Sequence, residues 1–355
     1  MRELSSPEPS LQGEVRLRAA ECSGTGVRIG EECAFTIRCL MALFVLIVLP
    51  SLARPQESSP SQSRPGDEYR ITVDVDLVLL HATVQNHKGI PVSGLAKDDF
   101  QVYEDGVLQE IKHFSKKDIP VTVGLVIDSS GSMRPKRPEV IAAAVAFARS
   151  SNPEDQMFVV SFNENVSFDL PDKTPFTDQV AQLEVALSRI VANGMTALYD
   201  AVAAALEHLR KGNRGKKVLI VVSDGGDNAS KHSLAQIMAM AGHPDAIIYT
   251  IGLFDEGGDQ NPQALKQLAK DTGGEAFFPQ SVRDVVPIFE RIARDIRDQY
   301  TIGYVPTNRK RDGIYRAIQV KARAPGRGRV LVRTRTGYYP RVKPQAISAS
   351  QSKRP

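Results

Sequence analysis

A chain of 355 residues, 42% hydrophobic and 24% charged, has room for two or three folded domains and is too apolar to be disordered throughout. Its formal net charge of +4 is too small to point to any class of partner.

The three cysteines, Cys22, Cys33 and Cys39, all precede the apolar run at residues 40–49, LMALFVLIVL. This run is about half the roughly 20 residues a bilayer-spanning helix needs. Arg38 stands ahead of it, and Pro50, Ser51, Leu52 and Ala53 follow in a small-x-small pattern. Residues 1–53 therefore read as a leader whose signal peptide is cut after Ala53. The expected product is exported: periplasmic, associated with the cell envelope or secreted, without cysteine and without a stable transmembrane span. The segment ahead of the run is unusually long, and a start at Met41 would leave no positive n-region, so the true start stays open. An uncleaved anchor and a buried helix are the other readings of the run.

Residues 54–68, RPQESSPSQSRPGDE, are rich in Pro, Ser and Gln and read as a disordered linker. From residue 69 to 116 the pattern is β. Ile71, Val73, Val75, Leu77 and Leu79 alternate, and Val78, Leu80, Ala82 and Val84 take the opposite face. Gly89 marks a turn, and Asp105-Gly106 between Val102 and Val107 is a hairpin signal, because such turns need positive φ. These strands are too few to close a core alone.

From residue 120 to 297 strands and helices alternate. The pattern predicts strands at 121–127, 156–162, 166–170, 216–223, 246–253 and 275–278, and helices at 139–150, 176–191, 198–211, 233–241, 263–271 and 282–297. This is the pattern of an α/β domain with a doubly wound, mostly parallel six-stranded sheet, residues 166–170 forming an antiparallel edge. Residues 299–340 are β again, with Tyr300, Ile302 and Tyr304 alternating, and 341–355 read as a disordered tail. The two β flanks are expected to pair into one β-sandwich-like domain with the α/β unit inserted in it, since domain termini often lie close together.

Residues 121–133, VTVGLVIDSSGSM, run from an apolar strand directly into an Asp and two serines. Asp128, Ser130 and Ser132 are spaced i, i+2 and i+4 in the turn, where small oxygen-bearing side chains can converge on a hard cation, with Gly131 expected to permit the bend. Two later segments, Gly194-Met195-Thr196 and Ser223-Asp224-Gly225, should reach the same sheet edge.

Together these residues closely resemble the von Willebrand factor A domain and its metal-ion-dependent adhesion site: D-x-S-x-S, a Thr after a Gly-rich loop, and an Asp after the fourth strand. The resemblance implies that Ser130, Ser132 and Thr196 contact the ion directly or nearly so, that Asp128 and Asp224 act largely through water, and that a partner's carboxylate fills the open position. It implies magnesium, with manganese able to substitute and calcium a poorer fit. The flanks, with GLAKDDFQVYEDGVLQEIKHF before the domain and DQYTIGYVPTN, DGIYRAIQVK and RTRTGYYP after it, resemble more narrowly a bacterial, acidobacterial-type VWFA-related family, which implies little about activity.

After Val305 basic residues dominate, and Arg329, Arg333 and Arg335 are expected to share a face of the last strand. Such a stripe would hold an anionic glycan or lipid head groups; the bland reading is a solvated face partly neutralised by Asp98, Asp99, Glu104, Asp105 and Glu110. Nucleic acid is not expected, because no aromatic residues are interleaved for base stacking. The histidines lack zinc spacing, and no nucleophile elbow, Walker loop or dinucleotide fingerprint is present. A metal-dependent phosphatase would need a carboxylic acid two residues after Asp128, where Ser130 stands. The expectation is an exported, non-enzymatic binding module that captures a protein ligand through its Asp or Glu. A structural or assembly role in the cell envelope is the alternative.

Overall fold

The computed structural model describes residues 77–242, 246–254 and 260–341. The apolar run 40–49, the linker 54–68, the first residues of the N-terminal flank and the tail beyond Arg341 lie outside the described residues.

The N-terminal flank supplies β1 (Val78–Asn86), β2 (Phe100–Glu104), β3 (Val107–Gln109) and β4 (Ile111–Ser115). Asp105 and Gly106 join β2 to β3 with φ of 47° and 81°, the backbone expected of an Asp-Gly hairpin turn. The α/β domain follows with β5 (Val121–Asp128), α1 (Arg137–Ser150), β6 (Gln156–Phe162), β7 (Val166–Phe168), α2 (Val180–Ser188), α3 (Leu198–Leu209) and β8 (Lys216–Ser223). It continues with α4 (Leu234–Ala241), β9 (Ala246–Gly252), α5 (Pro262–Thr272), β10 (Ala276–Phe277) and α6 (Val285–Asp298). The C-terminal flank gives β11 (Tyr300–Tyr304), β12 (Arg316–Ala322), β13 (Val330–Arg333) and β14 (Gly337–Tyr338). No helix among the described residues is long and apolar enough to cross a membrane.

The six-stranded sheet has the order β10-β9-β8-β5-β6-β7, parallel except for the edge strand β7. β5 is buried at every position, which is why its apolar run is continuous rather than alternating. The chain leaves β5 toward β6, then returns to β8 and continues the other way to β9 and β10. Right-handed crossovers therefore place α1 on one face and α3, α4 and α5 on the other, and α6 returns to pack on α1. Phe147 of α1 and Phe289 of α6 meet edge to face, centroids 5.8 Å apart. The reversal of direction makes the gap between the carboxyl ends of β5 and β8 the topological switch point, where ligands of open α/β sheets bind.

The flanks do pair. One antiparallel sheet runs β13-β1-β11-β4 and the other β14-β12-β2-β3, so each draws strands from both sides of the α/β domain. Leu80, Phe100, Val102, Tyr300, Ile302 and Tyr304 belong to one buried core shared by the two sheets. Inside it Glu104 accepts from Tyr304 Oη at 2.7 Å and from Tyr338 Oη at 3.0 Å, and pairs with Arg316 at 3.3 Å. Of the acids expected to offset the basic flank, Glu104 thus does so as a buried ion pair, while Asp105 accepts from the Ala317 backbone amide.

Several boundaries differ from the sequence pattern. The helix expected at 176–191 shortens to α2 because Thr177 forms a bridge with Met157, exchanging both backbone hydrogen bonds at 2.8 Å, and keeps the preceding residues out of the helix. The last helix begins as a 3-10 turn, Val282–Asp284, capped by Ser281. The strand expected to carry Arg329, Arg333 and Arg335 on one face is broken. β13 ends at Arg333, the Thr336 amide bonds to the Asp271 carbonyl at 3.1 Å, and the chain moves into the other sheet as β14. Arg333 itself turns into the protein and pairs with Glu275 and with Asp295 of α6.

Candidate metal centre

Three loops meet at the carboxyl end of the sheet. After β5 the chain enters a 3-10 turn, Gly131–Met133, in which the Met133 amide bonds to the Ser130 carbonyl at 3.1 Å. Asp128 stays at the strand end, 2% exposed, and its Oδ1 accepts from the Ser130 amide at 2.8 Å while Oδ2 accepts from Ser223 Oγ at 2.6 Å. Gly131 lies in the bend, as expected, but the bend does not require a glycine. Its φ is not positive, and a Cβ there would meet nothing closer than the Gly194 carbonyl oxygen at 3.6 Å.

The second loop, before α3, brings Thr196. Gly194 has φ of 79°, and its carbonyl accepts from the Gly131 amide at 3.1 Å, tying this loop to the first. Met195 donates its amide to Glu164 Oε2 at 3.0 Å, and Thr196 donates its own to Asn228 Oδ1 at 2.9 Å. A Cβ on Gly194 would stand 1.9 Å from Glu164 Oε2. Gly194→Ala is therefore expected to combine left-handed strain with loss of the Glu164 bond, lowering stability by about 1–2 kcal/mol. Equilibrium urea unfolding checks this; an unchanged midpoint would refute it.

The third loop, after β8, carries Asp224, whose Oδ2 accepts from Ser132 Oγ at 2.6 Å. Ser132 Oγ also lies 3.1 Å from Ser130 Oγ. Ser130, Ser132, Thr196 and Asp224 line one cleft of about 290 Å³, together with Gly194, Met195, Asn228 and Gln260 among others. All five residues expected to form a cation site thus come to one place. Asp128 stands behind the serine turn, and the other four face the cleft.

Residues not singled out in the sequence hold this arrangement. Asp227 Oδ2 accepts from the Tyr199 amide at 2.9 Å and Ser230 Oγ from the Asp200 amide at 3.0 Å. They cap the open amino end of α3, whose own preceding residue, Ala197, has no side chain to do so. The run Asp224-Gly225-Gly226-Asp227-Asn228 is a visible loop signal, but its capping role toward a helix some 30 residues earlier in the chain is set by contacts across the fold.

The donor set fits a hard divalent cation. It is all oxygen, and among the described residues no group of three or more His, Cys, Asp or Glu side chains is placed to bind a metal. Burial pushes the Asp128 carboxyl up to about 6, with the nearby Asp224 charge adding to the rise and the bonds from Ser223 and Ser130 opposing it. A positive charge in the cleft would relieve both the burial cost and the repulsion between the two carboxylates.

The sequence model of the von Willebrand factor type A domain family matches residues 122–291. A sequence comparison finds no match among curated proteins. Among solved structures, a von Willebrand factor type A protein from Catenulispora acidiphila is 15% identical, covering 76% of this chain and 74% of its own, with a TM-score of 0.46. The vWF domain of the type V pili tip protein Mfa5 from Porphyromonas gingivalis is 16% identical over 50% of this chain and 95% of its own, TM-score 0.43. Proximal thread matrix protein 1 from the mussel byssus, described with a zinc-occupied MIDAS motif, is 17% identical over 54% of this chain and 49% of its own, TM-score 0.43. With strand order, switch-point cleft and family match in agreement, residues 122–291 of this chain are a von Willebrand factor type A domain, carried between two flanks that together build a β-sandwich.

Proposed function

We propose that this protein is a non-enzymatic binding module that captures an acidic protein ligand at the cleft between β5 and β8. Ser130, Ser132 and Thr196, with Asp128 and Asp224 beside them, would hold a divalent cation, magnesium or manganese before calcium. When bound, such an ion supplies a Lewis-acidic position that a partner's Asp or Glu carboxylate can occupy. The hydroxyl donors carry no charge, so little of the ion's charge is neutralised by the protein itself.

The observation that carries this reading is the continuous chain from Ser130 through Ser132 to Asp224, at 3.1 and 2.6 Å, in a cleft that Thr196 also lines. Ser130, in the place where a phosphatase would need its general acid, instead shares its hydroxyl with this chain, which supports binding over turnover. We place the protein outside the cytoplasm, on the signal-like run 40–49. We further place it, on the flank sequences, in the acidobacterial-type VWFA-related group.

Two measurements test the function. Magnesium or manganese at about 100 times its dissociation constant should add about 2.7 kcal/mol of stability, seen as a rise in melting temperature that Asp128→Ala removes. A pull-down from envelope extract should recover the same protein with magnesium and lose it with EDTA or with Asp128→Ala. Identical capture under all three conditions would end the bridging proposal.

A further inference from the structure

Among the described residues that line the cleft, Met195 carries the one large apolar side chain, and it is 54% exposed. A single exposed methionine is ordinary on a protein surface; the backbone beneath this one is not ordinary. From Asn193 to Ala197 successive residues are fastened. The Asn193 amide bonds to the Ser129 carbonyl at 2.8 Å, the Gly194 carbonyl to the Gly131 amide at 3.1 Å, and the Met195 amide to Glu164 at 3.0 Å. Thr196 is held at both its amide and its carbonyl, the latter by the Asn228 and Ala229 amides at 3.0 and 3.1 Å, and the Ala197 amide bonds to the Asn163 carbonyl at 2.7 Å.

The loop is therefore rigid while the side chain it presents stands in solvent beside Thr196. A pre-ordered backbone costs little to engage, and methionine adapts its shape to what it meets. Among the described residues the cleft lining contains no Lys, Arg or His, so it offers a carboxylate no positively charged side chain.

Building on the binding function proposed above, we infer that Met195 is a specificity-determining residue and that the partner presents an Asp or Glu directly next to an apolar side chain. The acid enters the cleft, and its apolar neighbour covers Met195. A cleft of about 290 Å³ has room for an acidic side chain together with part of its neighbour, and Met195 lines the same cleft.

The test uses immobilised hexapeptides with a central Glu-Leu, Leu-Glu, Glu-Ser or Gln-Leu pair flanked by Gly and Ser, probed with the full chain in manganese and in EDTA. Manganese binding by wild type and by Met195→Ser is followed in parallel by electron paramagnetic resonance. In manganese, a Glu-Leu or Leu-Glu peptide should retain roughly ten-fold more protein than Glu-Ser, the size expected for covering about half an apolar side chain. Met195→Ser should erase that preference and leave manganese affinity unchanged. Equal capture of Glu-Ser and both leucine peptides, or a preference that survives Met195→Ser, would overturn the role of Met195 while leaving metal-bridged binding intact. Failure of every glutamate peptide to exceed Gln-Leu in manganese would overturn the bridging function, and this inference with it.

Discussion

Replacing Arg333 with methionine is expected to destabilise the protein by about 3–5 kcal/mol, the cost of breaking a buried ion pair and leaving a carboxylate without its partner. Arg333 ends β13 of the sandwich, yet its guanidinium pairs with Glu275, just before β10, and with Asp295 of α6. Asp295 is 6% exposed and also accepts from Thr83 Oγ1 of β1 at 3.0 Å and from Tyr249 Oη of β9. Its neighbour Gln299 donates to Thr83 Oγ1 and to Tyr249 Oη, both at 3.3 Å. The cluster thus joins the sandwich to the α/β domain through groups that are largely removed from water. Methionine keeps most of the side-chain length, so the measured loss reports the charge rather than a void. Guanidinium chloride unfolding should show the drop, and adding Asp295→Asn to Arg333→Met should recover part of it, since the orphaned charge is then gone. A loss under about 1 kcal/mol in the single variant would mean that water replaces the guanidinium freely, contrary to the burial.

His81 is expected to give the largest pH effect. It lies on β1 at 7% exposure, with Nδ1 3.3 Å from Thr301 Oγ1 and with no hydrogen-bond partner at Nε2 among the described residues. Burial, reinforced by the charges of Lys216 and Arg335, lowers its pKa to about 3. The unfolded chain takes up the proton near 6.5 and the folded chain does not, so stability falls as pH drops from 6.5 toward 3. At about 1.4 kcal/mol per pH unit, His81 alone costs the folded state about 3 kcal/mol at pH 4. Asp128 and Asp169, whose carboxyls are raised to about 6 chiefly by burial, work in the opposite sense below that pH. The clean measurement is therefore a difference. His81→Leu and wild type should have similar unfolding free energies at pH 7.5, with the variant gaining about 3 kcal/mol relative to wild type by pH 4. Parallel curves would show that the imidazole protonates in the folded state as easily as in water.

The same junction holds Lys216, at the amino end of β8 and 3% exposed, whose Nζ donates to the Ile296 carbonyl in the last turn of α6. A lysine there satisfies a carbonyl that the helix itself leaves open and complements the negative end of its dipole. Burial still lowers its pKa to about 8, although Asp295, Asp118 and Asp155 oppose the shift. Together with Arg333 this fastens α6 at its carboxyl end to both domains.

A good deal of this molecule was legible in the order of its residues. The continuous apolar runs of β5 and β8 announce strands buried on both faces, and Asp105-Gly106 announces its own turn, because each depends on a few neighbouring positions. The spacing of Asp128, Ser130 and Ser132 with Thr196 and Asp224 pointed to one meeting place of three loops, because in a doubly wound sheet the strand ends around the switch point lie together whatever the intervening helices contain. What the sequence could not show was the use made of residues whose partners are far away in the chain. Arg333 read as one of a basic stripe and is a half-buried clamp on the buried Asp295, Gly131 read as needed for the bend and is a turn residue with room for a Cβ, and Asp227 and Asn228 carried no sign that they cap and tether the Thr196 loop. Local propensity and periodicity are properties of neighbouring residues and survive in the unfolded chain; burial, charge pairing and shifted proton affinities arise only when distant segments exclude water between them, so only the tertiary structure decides them.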